Sequence, residues 1–173
     1  MSIKERLQDL EQATPPAVTR FLPPGQPAKR RVFLTAQARK EFEDLNSAVN
    51  LLGCRGRNYA ALTKWAAGGR VHGNTKRGLF VDSLDPPPPD IWEVRVTEPL
   101  VQTRFIGCFA EPNTLVLMRL HTRRYLGDKG SQAWIEAMNG CAADWAKLFP
   151  THTPFSASTI DQYVTENCDD FPV

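Results

Sequence analysis

Histidine is scarce in this chain: three residues in 173, set far apart at His72, His121 and His152. The four cysteines (Cys54, Cys108, Cys141 and Cys168) are equally scattered, with no CxxC pair among them. Neither a zinc knuckle nor a disulfide framework has the spacing it needs. No apolar run reaches the length of a membrane span, and the first residues, MSIKERLQDLEQ, lack the apolar core of a secretory signal. The expected setting is therefore cytoplasmic, with no membrane partner and with reduced, packed thiols. No GxSxG elbow occurs, and the glycine-rich stretch Gly69-Arg70-Val71-His72-Gly73-Asn74-Thr75-Lys76 breaks the GxxxxGK[ST] spacing of a phosphate loop. Nothing in the chain calls for a cofactor.

Charge of one sign is missing from two regions. Residues 45–81 hold six basic side chains and no acidic one, and residues 151–173 hold four acidic side chains and no basic one. Residues 29–150, which include the first of these regions, carry 18 basic against 12 acidic groups, a balance of +6 that the overall +2 conceals. Such asymmetry points to a nucleic acid or another polyanion as the partner of the middle of the chain. A basic, merely solvated helix pair is the plainer alternative.

Proline is plentiful and divides the chain. Ser2 and Glu5 form a capping-box pattern ahead of Ile3, Leu7 and Leu10. Five prolines between residues 15 and 27 then read as a linker or surface strap. Residues 31–34 read as a strand, and Thr35 caps a helix whose stripe is Ala38, Phe42, Leu45, Val49 and Leu52, closed by Gly53. A second helix over 58–67 offers Tyr59, Leu62, Trp65 and Ala66. Residues 79–81 suggest a short strand before the run Pro86 to Pro89, which no central strand can contain. Three strands follow, over 91–97, 101–109 and 114–126, as an antiparallel meander. Ser131 caps a last long helix with Trp134, Met138, Cys141, Trp145 and Leu148 on one stripe, stopped by Pro150. One helical turn is expected at 159–164. The resulting organisation is an N-terminal helix and Pro-rich linker (1–28), a central domain (29–150) and an acidic C-terminal tail (151–173). The fold class is α+β: a small antiparallel sheet in the order β-α-α-β-β-β-α, with helices packed on one face and the other face open.

Strand alternation decides what the open face carries. Trp92, Val94 and Val96 oppose Glu93 and Arg95; Thr103, Phe105 and Phe109 oppose Gln102 and Arg104. By the same parity Val116, Met118 and Leu120 oppose Leu115, Leu117, Arg119 and His121. The open face thus gathers Arg95, Arg104, Arg119 and His121, with Arg123, Arg124 and Tyr125 just beyond, a cationic surface suited to a polyanion.

This element order, together with four stretches, resembles the RelE/ParE toxin superfamily, nearest its HigB-like, phage-derived branch. The stretches are Leu84 with Ile91-Trp92-Glu93-Val94-Arg95; Thr103-Arg104-Phe105-Ile106; Leu115-Val116-Leu117-Met118-Arg119-Leu120-His121-Thr122-Arg123-Arg124; and a closing helix with Ala137 and Ala142-Ala143-Asp144-Trp145. The resemblance covers residues 31–149. The chain departs from it in its greater length, in the Pro86–Pro89 run and in having Arg123-Arg124 where paired lysines are common. The resemblance implies a toxin of a type II toxin–antitoxin system that cleaves mRNA on the ribosome without a metal and is held by a cognate antitoxin. On that model Arg95 and Arg104 clamp the phosphate, Arg119 and Arg123 extend the cationic surface, His121 is the acid or base, and Tyr125 donates a second proton or stacks on a base. Arg70, Lys76, Arg77, Arg119 and Arg124 would contact RNA. The alternatives are a non-catalytic binder of gyrase or nucleic acid on the same fold, and an inactive phage-derived remnant. Residue by residue, Arg95 has Glu93 as a ready ion-pair partner, His121 reads equally as a half-buried strand histidine, and Tyr125 as packing. The acidic segment 165–170 either lies over the cationic face or forms a disordered terminus.

Overall fold

The computed structural model describes residues 1–73, 81–84, 90–97 and 101–170. Among the described residues fifteen segments are regular. In chain order they begin with α1 (Ile3–Gln12), β1 (Val18–Arg20), β2 (Arg31–Thr35), α2 (Ala36–Glu43), a 3-10 turn (Asn50–Leu52) and α3 (Arg55–Ala66). Then come β3 (Val71–Gly73), β4 (Val81–Ser83), β5 (Trp92–Val96), β6 (Thr103–Glu111), β7 (Thr114–Thr122), α4 (Arg123–Leu126), α5 (Gln132–Leu148), α6 (Ile160–Tyr163) and β8 (Cys168–Asp170). The strands form one mixed sheet in the order β1-β2-β7-β6-β5-β4-β3-β8. The α+β class therefore stands. The expected meander is present as β5, β6 and β7, antiparallel in sequence. The sheet as a whole is not antiparallel, because β2 runs parallel to β7, and β3 runs parallel to both β4 and β8.

Helices cover both faces, not one. Phe42, Leu62 and Trp65 from α2 and α3 pack with Tyr163 onto Trp92, Phe105, Phe109, Leu117 and Leu120. On the opposite face Leu7 and Leu10 of α1 and Trp134, Met138, Cys141 and Trp145 of α5 cover Ile106, Cys108, Val116 and Met118. The face expected to be open is thus a second core, and α1 belongs to it. Ile106 and Cys108 face it by the plain alternation of β6, and one extra residue in β7 decides which β7 side chains join them. Ile106 lies opposite Arg119 but Gly107 lies opposite Leu117, so Met118 is bulged out of the ladder. The bulge resets the alternation: Leu115, Leu117 and Leu120 share one face, and Val116, Met118 and His121 the other. Strict period-two reading had placed Leu120 with Met118.

The α2 helix also stops earlier than its apolar spacing suggests. Asp44 accepts the Asn46 N–H at 2.9 Å, and the Asn50 side-chain amide donates to the carbonyls of Phe42 and Asp44, both at 2.8 Å. These short polar side chains offer the backbone partners that end the helix, and Leu45 and Leu52 are left exposed. Other signals hold. The Ser2–Glu5 capping box is formed, Ser131 accepts the Trp134 N–H, and α6 falls within the turn expected at 159–164. The Pro-rich strap contains a strand, β1, paired with β2. Cys54, Cys108 and Cys141 are buried, and all four cysteines are thiols outside any disulfide.

The C-terminal segment is neither disordered through residue 170 nor laid across the cationic row. It runs as β8 along β3, with the backbone of Asp169 opposite His72, at the sheet edge remote from β7. Buried Arg30 fastens it, donating to the carbonyl of Gly69 at 2.8 Å and to that of Glu166, while its guanidinium lies 5.2 Å from the centre of the Trp65 ring.

Candidate nucleic-acid interface

Three of the expected site residues are placed in one lateral row. Arg95 of β5 lies opposite Arg104 of β6, and Arg104 opposite His121 of β7. One step along the same face, Glu93, Ile106 and Arg119 form the next row. The cations do not stand free. Glu93, 1% exposed, accepts the Arg95 Nε and lies 3.1 Å from the Arg104 Nε through its second oxygen. Arg104 is itself buried and donates further to the Thr103 carbonyl at 3.0 Å and the Gln102 side chain at 3.3 Å. The Arg95–Glu93 pair is the plainer reading of that position, and it is what the fold contains. Two guanidiniums share one carboxylate, so the trio keeps one positive charge and has a fixed shape.

Arg119 is likewise engaged, 2.5 Å from the Asp144 carboxylate on α5. Arg123 opens α4 with its guanidinium 5.8 Å from the centre of the Trp134 ring. Arg124 is exposed on the same short helix. Arg70, exposed at the start of β3, lies four strands from β7, roughly 19 Å at the usual strand spacing, so it does not join the row. Lys76 and Arg77 lie outside the described residues.

The end of β7 holds the most distinctive chemistry. Thr122 caps α4 by accepting the Tyr125 N–H at 3.1 Å. That fixes the first turn so that the Tyr125 ring stacks on His121, with centroids 5.0 Å apart and planes 18° apart. Tyr125 remains 60% exposed, so its outer side is available to a planar ligand. Beneath the pair is a pocket of about 160 Å³ lined by Glu41, Val49, Leu120, His121, Thr122 and Tyr125 among others. Burial, seconded by the charge of Arg119, lowers the His121 pKa to about 4, which keeps the ring neutral at pH 7.

Glu41 was not foreseen. The β2 strand stops at Thr35, which leaves the next part of the β7 edge without a strand partner, and the side chains of Thr35, the cap of α2, and of α2 itself take over. Thr35 donates to the Met118 carbonyl at 3.1 Å, and Glu41 accepts the Leu120 N–H at 2.7 Å. Burial raises the Glu41 pKa, against the hydrogen bonds from Gln37 and the Leu120 amide and the charge of Arg119. In the sequence Glu41 is only a polar residue beside Phe42, and nothing local ties it to a strand about 80 residues on. Among the described residues no group of three His, Cys, Asp or Glu side chains could hold a metal ion, and no helix is long and apolar enough to cross a membrane.

The His121 shift sets a pH dependence. An unfolded imidazole takes up its proton near 6.5, the folded one only near 4. Between those values the unfolded chain binds more protons, so the contribution of His121 is complete above pH 6.5 and is lost as pH falls toward 4. Chemical denaturation of the parent and of His121→Asn at pH 7 and pH 4.5 should show a steeper loss for the parent, by about 2 kcal/mol. Equal losses would reject the assignment. Glu41 acts in the opposite sense in both proteins and so drops out of the comparison.

No protein-family model, curated protein or solved structure matches this chain.

Proposed function

We propose that the chain binds RNA across the β5–β6–β7 end of the sheet and cleaves it, as a toxin of the RelE/ParE kind acting on mRNA at the ribosome. The observation that supports this reading best is the row Arg95–Arg104–His121 with Tyr125 stacked on its histidine. Cleavage requires the ribose 2′-oxygen to attack the neighbouring phosphorus. The hydroxyl proton must leave, the P–O5′ bond must break, and the 5′-oxygen must be protonated, giving a 2′,3′-cyclic phosphate and a 5′-hydroxyl. His121, neutral at pH 7, is in the form that accepts the first proton. Its burial makes it a weak base by itself, and an approaching phosphate anion raises its proton affinity by direct attraction. The resulting imidazolium is a strong acid for the leaving oxygen. Arg95 and Arg104, oriented by Glu93, supply positive charge toward the phosphorane.

The test is a cell-free translation reaction with mRNA ends mapped by primer extension, using the parent, Arg104→Lys and His121→Ala. Translation-dependent cuts by the parent, lost in His121→Ala and weakened in Arg104→Lys, are expected. Intact mRNA with retained RNA or gyrase binding would move the assignment to a non-catalytic binder. That second reading is favoured by one observation: Glu93 already neutralises part of the charge that a phosphate clamp would use.

A further inference from the structure

His121 has an arginine on two sides, and each arginine has a carboxylate of its own. Across the ladder Arg104 of β6 lies opposite it, an antiparallel pair with Cα atoms about 5 Å apart. Along β7 Arg119 precedes it by two residues on the same face, about 7 Å away. Glu93 of β5 stands 3.1 Å from Arg104, and Asp144 of α5 stands 2.5 Å from Arg119. The first pair joins two strands of the sheet. The second joins the sheet to α5, whose Trp134, Met138 and Trp145 cover the same face.

The other elements around the imidazole bring few charges. From α2, Glu41 lines the same pocket and accepts the Leu120 N–H. The segment after α2 contributes the uncharged Ser47, Ala48 and Val49. From α4 comes the Tyr125 ring, while Arg123 lies by Trp134 and Arg124 is exposed. Arg119 therefore counts. A guanidinium about 7 Å away in a partly buried site opposes an imidazolium, and Arg119 does lower the proton affinity of His121, second to burial. Asp144 offsets that charge at contact distance. Its side chain is 23% exposed and that of Arg119 26%, so water screens the pair only in part. Lys147, 4.0 Å from the other Asp144 oxygen, is 77% exposed and largely screened.

We infer that Asp144 is a positioning residue of the His121 site: it anchors Arg119 on α5 and offsets its charge, so that the imidazole can take up a proton beside it. This rests on the cleavage reading above, in which His121 carries a proton from the 2′-oxygen to the 5′-oxygen. It adds the group that makes the imidazolium tolerable between two arginines. It also gives Arg119 a task other than the phosphate contact that the resemblance implies, because its guanidinium is already seated on a carboxylate.

The test is the imidazole Cε1–H proton NMR signal of His121 in the full chain, assigned by its loss in His121→Asn. It is read at pH 4.5 against its plateau at pH 8, without RNA. The parent should be about one quarter protonated at pH 4.5. Arg119→Gln removes the cation and keeps Asp144; about three quarters is expected, a midpoint raised by about one unit. Asp144→Asn leaves the cation without its carboxylate, and about one tenth is expected. Arg119→Lys keeps the charge and should stay near the parent. So should Glu136→Gln, which removes an exposed carboxylate elsewhere on α5. If Asp144→Asn matches Glu136→Gln, or if Arg119→Lys moves the signal as far as Arg119→Gln, the inference is overturned. Signals that move as expected while mRNA stays intact in the translation reaction would remove the cleavage reading and leave the coupling of Asp144, Arg119 and His121 in place.

Discussion

Replacing Glu93 by alanine should lower the stability of the folded chain by about 3–5 kcal/mol, the usual cost of leaving a buried charge without its partner. Glu93 is 2% exposed at its side chain, and Arg104, which it holds, is 7% exposed. Arg104 also donates to the Thr103 carbonyl and to the Gln102 side-chain oxygen, both neutral groups. Arg95 differs: its side chain is 24% exposed and can turn toward water when the carboxylate goes. The cost therefore falls mainly on the more buried Arg104. The double variant Glu93→Leu with Arg104→Leu should lie closer to the parent than Glu93→Ala, since an apolar pair avoids desolvating either charge. Urea denaturation of the three proteins checks this. A single variant costing under about 1 kcal/mol would show that water reaches the guanidinium and that the trio is not a buried unit.

Gly107→Ala should be comparably severe, about 4 kcal/mol or more. A Cβ at this position would lie 2.1 Å from the Val116 carbonyl oxygen and 2.9 Å from the Leu117 Cα. Both atoms are backbone, in the strand paired with β6, so no rotamer relieves the clash. The only escape is to move β7 away, which breaks the ladder at the Met118 bulge and with it the parity that puts His121 on the face of Arg104. For a chain of this size the melting temperature should fall by roughly 8–16 °C. Gly140→Ala is the matched control. Nothing lies within 4 Å of its added Cβ, it sits inside α5, and about 0.5–1 kcal/mol of stabilisation is expected from the lost freedom of the unfolded chain. If Gly107→Ala melts within about 2 °C of the parent, the close approach of the two strands is not as described.

Those two positions mark the boundary of what the amino-acid order discloses. The capping residues Ser2 and Ser131, the stripe of α5 and the three-strand meander are local patterns, and each is visible within a dozen residues. The row Arg95–Arg104–His121 was also legible, because two antiparallel strands in simple register keep their alternation. The bulge was not, since an extra residue in β7 is a property of how β6 and β7 meet, and its only trace is one glycine among many. Nor was the parallel placement of β2 against β7, which local order cannot encode. The end of α2 shows the converse case. The apolar spacing from Ala38 to Leu52 was genuine, yet Asp44 and Asn50 offered the backbone stronger local partners. The second covered face was partly visible, since Leu115 and Leu117 were read on the side of Arg119 and His121, but its cover, α1 and α5, comes from distant parts of the chain. Glu41 was hidden because its partner is a strand amide far along the chain.

The parallel pairing of β2 with β7 also sets a timetable. Arg31 sits opposite Thr114, about 80 residues further on. During synthesis β1, β2 and the helices α2 and α3 emerge before the strand that pairs with the second edge of β2, while β5, β6 and β7 can zip as successive hairpins once made. The early half can pack Phe42 on Phe21 and Tyr59, but the second edge of β2 waits until β7 has left the ribosome and inserts between β2 and β6. A nascent chain halted before residue 114 would present the unfilled side of β2 as a bare, apolar strand edge. Such an edge invites chaperones or other strands, which makes the last-arriving middle strand, not either terminus, the step that commits this molecule to its shape.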